Sequence, residues 1–218
     1  MIQRWDVITI GNLSRNRYWG ESNEHRLRDA WCTCTLIRGD DFCLLVDPSL
    51  QDAQAMIAEL DRRTGLKPED VDAVFVTHHH GDHHWGISPF TQAEWWAAGD
   101  VAEAINESTS YLRPVEAREG HLFRGIDVIH TPGHTMEHHS LLFECDGQKV
   151  VIAGDAVMTR DFYAHKQGYF NSVDFDLAAQ TIARIGSVAD IVVPGHDNYF
   201  LVELTPFSLT DAQSGGRG

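Results

Sequence analysis

Alternating hydrophobic and polar residues in the first part of the chain predict a series of short strands. Asp6 to Ile10 predicts one strand, and Trp31 to Ile37 followed by Phe42 to Val46 predicts a hairpin around the turn Arg38-Gly39-Asp40-Asp41. The apolar stretch from Val71 to Val76 is also strand-like.

Apolar residues at helical spacing occur in two segments. The first predicted helix runs from Asp52 to Thr64 with Gly65 as its stop signal, and the second runs from an N-cap at Asp174 to about Ile185. Periodicity alone predicts a mixed α/β chain. Residues 208–218 are rich in Gly and Ser and lack apolar periodicity, so a frayed tail is expected after one domain of residues 1–207.

The length and charge of the chain narrow the function classes. Its 218 residues suit one domain with a sizeable core. No stretch is apolar enough to cross a bilayer, and Met1 to Asp6 lacks a signal-peptide core, so a cytoplasmic protein without membrane contact is expected. Acidic residues outnumber basic ones by 32 to 17, for a formal charge of −15. This balance favours a small-molecule substrate over nucleic acid.

The four cysteines predict no disulfide framework. Cys32 and Cys34 share one face of a predicted strand, and no second cysteine pair stands at zinc-site spacing. These two residues, together with Cys43 and Cys145, are expected to be buried free thiols.

A histidine-rich run follows directly after the strand that ends at Val76. In Thr77-His78-His79-His80-Gly81-Asp82-His83-His84, the candidate metal ligands are His78, His80, Asp82 and His83. Neutral imidazole and carboxylate are ligands that zinc and similar metals prefer. The alternative is an exposed polar turn that is only by chance rich in histidine.

Three later segments repeat one pattern, an apolar run, a glycine turn and one metal-competent side chain. They are Thr131-Pro132-Gly133-His134, Ile152-Ala153-Gly154-Asp155 and Val193-Pro194-Gly195-His196. In this order and spacing the segments resemble the metallo-β-lactamase superfamily, and the resemblance extends from about Val7 to Val202.

The resemblance implies a single-domain, four-layer αββα sandwich with two metal ions. It implies that the first ion is bound by His78, His80 and His134, that the second is bound by Asp82, His83 and His196, and that Asp155 bridges both. The antibiotic-hydrolysing branch of the family carries a Cys at the position of Asp155, which argues against β-lactam hydrolysis. Zinc is the expected metal, with iron, manganese and nickel as alternatives.

The implied activity is hydrolysis of a small ester-, lactone- or thioester-like substrate by a hydroxide that bridges the metals, with Asp82 as the catalytic proton relay. The segments also resemble two compact groups of relatives, the acyl-homoserine lactonases and the proteins called metallo-β-lactamase domain-containing protein 1. The lactonases carry a Tyr three residues after the bridging Asp, where this chain has Met158, and Tyr163 or Tyr169 could substitute for it.

Three alternative functions stay open. The first is an iron persulfide dioxygenase that uses His78, His134 and Asp155 on a single iron. The second is a phosphodiesterase or ribonuclease-type hydrolase, and the third is a non-catalytic binding module. The metal content and the substrate range discriminate among them.

Several nearby residues have more than one interpretation. Asp47 is either a carboxylate close under the metals or a turn former before Pro48. An aromatic group could line a pocket, form the contact of a homodimer, or pack in the core, which is favoured; its members are Trp85, Phe90, Trp95 and Trp96. Four further histidines are not expected among the ligands, namely His79, His84, His138 and His139.

Overall fold

The computed structural model describes residues 1–202, in which twelve strands form two six-stranded sheets. The first sheet contains β1 (Ile2–Thr9), β2 (Cys34–Gly39), β3 (Cys43–Val46), β4 (Ala73–Val76), β5 (Glu94–Ala97) and β6 (Glu116–Ala117), in this spatial order. The second sheet contains β7 (His121–Leu122), β8 (Ile126–His130), β9 (His139–Cys145), β10 (Gln148–Gly154), β11 (Ile191–Pro194) and β12 (Phe200–Leu201), again as neighbours in sequence order. The tail predicted for residues 208–218 lies outside the described residues.

Strand direction follows from the connections. β1, β2 and β3 are antiparallel neighbours, with a long connection between β1 and β2 and a short turn between β2 and β3, whereas β3 to β6 are parallel. Helices α1 (Ala53–Thr64) and α2 (Gly99–Ser108) make crossovers in this sheet. In the second sheet only β10 and β11 are parallel, because the chain between them passes through α3 (Arg160–Ala164) and α4 (Phe175–Val188).

The two predicted helices are confirmed with their start signals. The Asp52 carboxylate caps α1 by accepting from the Ala55 N–H at 2.8 Å, and the Asp174 carboxylate caps α4 by accepting from the Leu177 N–H at 2.9 Å. Gly65 ends α1 in the left-handed conformation, at φ 72°. The sequence pattern did not predict α2, which begins without a side-chain cap. No helix within residues 1–202 is long and apolar enough to span a membrane.

Alternating side chains of the strands build three apolar layers between four layers of secondary structure. Leu36, Leu45 and Val74 of the first sheet pack against Met56 of α1 and Ile105 of α2. The opposite face of that sheet packs against the second sheet, through residues that include Ile37, Leu44, Phe75, Phe143 and Ile152. The outer face of the second sheet packs against α4. The expected αββα sandwich is therefore confirmed, because each sheet buries one face under helices and the other under its partner.

Most of the aromatic group after the histidine-rich run belongs to the core. Phe90, Trp95 and Trp96 are buried, whereas Trp85 is 44% exposed. The Trp95 ring contacts Tyr111 edge-on at 5.7 Å. Core packing, the favoured interpretation, is confirmed for the three buried residues, and the homodimer stays a prediction without support from them.

The layer between the sheets contains Phe75, whose side chain is fully buried. We expect Phe75→Ala to lower the free energy of unfolding by about 3–5 kcal/mol, because it leaves a cavity between two sheets that cannot close over it. Leu112→Ala is the control, since Leu112 is 97% exposed and its truncation should change stability by less than about 0.5 kcal/mol. Urea unfolding of both variants checks this, and equal midpoints would contradict the assigned layer.

Candidate metal centre

The predicted ligands lie at one edge of the sandwich because the strands before them end there. The run from His78 to His83 follows β4, Asp155 follows β10, and His196 follows β11. His134 lies in the connection between β8 and β9. The C-terminal ends of parallel strands are a common place for active sites in open sheets. The edge therefore gathers side chains from both halves of the chain.

One group of ligand atoms comes from His78, His80, His134 and Asp155, all within 4.8 Å of one another. The Nδ1 atom of His80 lies 2.9 Å from His78 Nε2 and 3.0 Å from His134 Nε2. Asp155 Oδ2 lies 3.2 Å from His134 Nε2 and 3.7 Å from His78 Nε2. Three ring nitrogens and one carboxylate oxygen thus converge on one point.

A second group comes from Asp82, His83 and His196, also within 4.8 Å of one another. Asp82 Oδ2 lies 3.4 Å from His196 Nε2. The other oxygen of Asp155, Oδ1, lies 3.1 Å from His83 Nε2 and 3.3 Å from His196 Nε2. Asp155 therefore presents one oxygen to each group, and all seven predicted side chains meet around it.

Burial keeps the imidazoles of the first group neutral. It lowers the pKa of His78 well below its usual value and the pKa of His134 to about 4. Burial would raise the pKa of Asp155, but His196, His83 and His134 outweigh it and hold that pKa well below the ordinary value. Neutral imidazole and ionised carboxylate are the forms that bind a metal.

Three buried side-chain atoms of the two ligand groups make no hydrogen bond within residues 1–202, namely His83 Nε2, His134 Nδ1 and Asp155 Oδ1. Two of them, His83 Nε2 and Asp155 Oδ1, lie 3.1 Å apart. An unpaired buried polar atom destabilises a protein, so such atoms need a partner. A divalent cation would satisfy both, and the nitrogen and oxygen donors of the two groups fit zinc.

Asp47 acts as a buried carboxylate under the second group and not only as a turn residue. Its Oδ1 accepts from the Thr77 N–H at 2.8 Å, and its Oδ2 accepts from the Thr77 hydroxyl at 2.8 Å and from His83 Nδ1 at 2.9 Å. Asp47 holds φ 52°, in the left-handed region. The bond to Nδ1 directs His83 Nε2 toward Asp155, which is the usual role of a carboxylate behind a ligating histidine.

Three other histidines near the ligand groups have their own contacts. His79 pairs with Glu137, and His84 Nδ1 lies 2.6 Å from the Tyr111 hydroxyl. His138 is fully buried, and its ring stacks on that of His78 at 4.8 Å. The sequence does not predict His138 as a ligand, and its stacking on His78 gives it a supporting position beside the first group.

The glycine turns permit the close approach of the strands. A Cβ atom at Gly195 would lie 2.0 Å from Asp155 Oδ1, so no other residue fits between β11 and this carboxylate. Gly195 therefore lies in a tightly packed turn beside the candidate ligands, as the sequence predicts for the glycines of these segments.

A cavity of about 170 Å³ opens beside the centre and includes His80, Asp82, Asp155 and His196 in its lining. Its walls come mainly from residues outside the strands, among them Leu13, Ser14, Met158, Tyr169 and Phe170. Of these, sequence reasoning considered only Met158 and Tyr169, because the wall segments are distant in sequence and carry no motif. A larger cleft of about 660 Å³, lined by Trp5 and Tyr199 among others, contains none of the seven ligand side chains.

A family model and several known proteins are similar to this chain over more than half of its length. Residues 32–196 match the family model described as the metallo-β-lactamase superfamily. An N-acyl homoserine lactonase from a Bacillus species is 30% identical over 159 residues, which cover 65% of this chain and 62% of the lactonase. Metallo-β-lactamase domain-containing protein 1 of Xenopus laevis is 30% identical over 176 residues, which cover 77% of this chain and 71% of that protein. The chain thus spans less than two thirds of the lactonase that it matches.

Solved structures agree with the fold. The Bacillus thuringiensis lactonase AiiA, in a mutant form with N-decanoyl-L-homoserine bound at its active site, aligns with a TM-score of 0.69 and 20% identity. The alignment covers 90% of this chain and 94% of that chain. At this identity the similarity applies to the fold alone.

We expect Asp47→Asn to destabilise the protein by about 1–3 kcal/mol, because an amide hydrogen would then face a buried donor. It should also weaken binding of divalent ions by roughly 10–100-fold, since His83 loses its orienting partner. Zinc titration and urea unfolding measure the two effects. Asp52→Asn is the matched control, because Asn caps α1 as well as Asp does. Unchanged ion affinity in Asp47→Asn would contradict the orienting role.

Proposed function

The chain belongs to the metallo-β-lactamase superfamily, and from that premise we propose that it is a dinuclear metal-dependent hydrolase of small ester-, lactone- or thioester-like substrates. The observation that carries the proposal is the position of Asp155, whose two carboxylate oxygens face two separate groups of ligand atoms. A carboxylate in this position can be shared by two cations.

The proposed ligands divide into two sets around Asp155. The first ion would be held by His78, His80 and His134, and the second by Asp82, His83 and His196. Zinc is proposed for both because imidazole and carboxylate suit it, with iron, manganese or nickel as the alternatives. Two such ions would supply an acidified water as nucleophile and would polarise the substrate carbonyl.

Asp82 is proposed as the proton relay. Its carboxylate is partly exposed and lines the cavity, whereas Asp155 is buried between the ligand groups. In ester hydrolysis the water oxygen forms the new bond to the acyl carbon, and the bond from that carbon to the alkoxy oxygen breaks. Asp82 would take the proton from the water and deliver it to the departing oxygen, so that no proton is left over.

The cavity walls support a substrate with an apolar acyl part. Leu13, Met158 and Phe170 provide apolar surface close to the proposed ligands. Tyr169 lines the same cavity, whereas Tyr163 packs on Phe200 with ring centroids 4.9 Å apart. Tyr169 is therefore proposed as the hydroxyl that replaces the lactonase tyrosine at the position of Met158.

The proposed location is the cytoplasm. The four cysteines are free and buried, which agrees with a reducing compartment.

Metal analysis tests the shared carboxylate. We expect wild-type protein to bind two ions per chain and Asp155→Ala to lose at least one of them. Its activity should fall more than the roughly 10–100-fold typical of a residue that only supports a ligand. Glu103→Ala, at an exposed carboxylate of α2, is the control and should retain both ions and full activity. Two tightly bound ions in Asp155→Ala would overturn the bridging role.

Kinetics on a panel of lactones, thioesters, aryl esters and phosphodiesters test the reaction. Asp82→Asn should lower kcat by roughly 10²–10⁴-fold with little change in KM, because a proton relay acts in the transition state. Metal content is measured in parallel, since Asp82 is also a proposed ligand. Cleavage of phosphodiesters alone, or oxygen consumption with a persulfide by a protein that holds one iron, would refute this function.

A further inference from the structure

Arg15 lies beside the cavity, and within the described residues it has no acidic partner. The guanidinium carbon of Arg15 lies 4.1 Å from the centroid of the Phe170 ring, and Phe170 lines the cavity. Arg15 is partly buried, and within residues 1–202 no carboxylate forms an ion pair with it. Other arginines of the chain, such as Arg28 and Arg38, are paired with carboxylates.

The Arg15 side chain also contains a buried donor without a partner. Its Nε is shielded from solvent and makes no hydrogen bond within the described residues. A guanidinium presents its N–H groups as a planar fork that matches a carboxylate. The Phe170 ring covers one face of this guanidinium.

The backbone that carries Arg15 is held in place. The Tyr169 hydroxyl donates to the Arg15 carbonyl at 2.8 Å, so this residue links Arg15 to the cavity wall. The neighbouring Ser14 carbonyl accepts from the N–H groups of Leu27 and Arg28 at 3.0 and 3.3 Å. A cation fixed in this way binds an anion with little further loss of conformational entropy.

We propose that Arg15 binds a carboxylate of the substrate, and that the substrate is therefore an ester or lactone whose acyl part carries a carboxylate. This inference rests on the proposed hydrolase function, since it names the substrate class of the same cavity. The apolar walls would contact the chain between the acyl carbon and the distal carboxylate. In a protein of formal charge −15, an unpaired cation at this position favours an anionic ligand over a neutral one.

Matched aryl esters test the preference with the metal-loaded protein. The 4-nitrophenyl monoester of glutarate and 4-nitrophenyl pentanoate differ only in a terminal carboxylate or methyl group. We expect kcat/KM to be roughly 10–100-fold higher for the glutarate ester, the worth of one charged hydrogen-bonding pair. In Arg15→Gln this ratio should fall toward one, and Arg15→Lys should retain part of it. Arg17→Gln, at an exposed arginine of the same segment, is the control and should keep the wild-type ratio.

Calorimetry separates the failure of this inference from the failure of the hydrolase proposal. Metal-loaded wild type should bind glutarate roughly 10–100-fold more tightly than pentanoate, and Arg15→Gln should lose this difference. If neither ester is hydrolysed but the difference in binding persists, the anion site stands and the hydrolase proposal fails. Equal affinities of wild type for the two acids, or an unchanged difference in Arg15→Gln, would overturn the role of Arg15.

Discussion

The buried carboxylate of Asp155 is the constraint on which the rest of the site depends. A carboxylate removed from water is unfavourable by several kcal/mol unless positive charge or hydrogen-bond donors surround it. Here His83, His134 and His196 surround it, and they hold its pKa below the usual range. Each of these imidazoles comes from a different segment of the chain. The buried position of Asp155 therefore requires three distant segments to meet around it.

The sandwich meets this requirement because strands of both sheets end at one edge. β4 of the first sheet delivers the histidine-rich run, and β10 and β11 of the second sheet deliver Asp155 and His196. Asp47, which follows β3, accepts hydrogen bonds from both Thr77 and His83 and so connects the end of β3 to the histidine-rich run. The apolar layer between the sheets thus sets the distance between the candidate ligands of the first sheet and those of the second.

The residues that line the cavity differ from the candidate ligands in where they lie in the fold. Leu13, Tyr169 and Phe170 come from connections outside the strands, which can vary without disturbing the sheets. In the proposed hydrolase the candidate ligands would define what reaction is chemically accessible, and the connections would define which acyl group fits. Arg15 lies next to this wall, where its guanidinium stacks on Phe170 and its carbonyl accepts from the Tyr169 hydroxyl.

The sequence by itself determined the layer architecture through the family resemblance, the two capped helices, and the seven side chains that the structure brings together. These features are local, because a strand, a glycine turn and a ligand follow one another within a few residues, as in Ile152-Ala153-Gly154-Asp155. Only the tertiary structure decided between the two roles of Asp47, between Tyr163 and Tyr169 at the cavity, and between pocket and core for Trp95 and Trp96. It also revealed Arg15, whose partners lie about 150 residues further along the chain and carry no motif. Such contacts depend on how distant connections pack, and a periodicity of two or 3.6 residues contains no information about that packing.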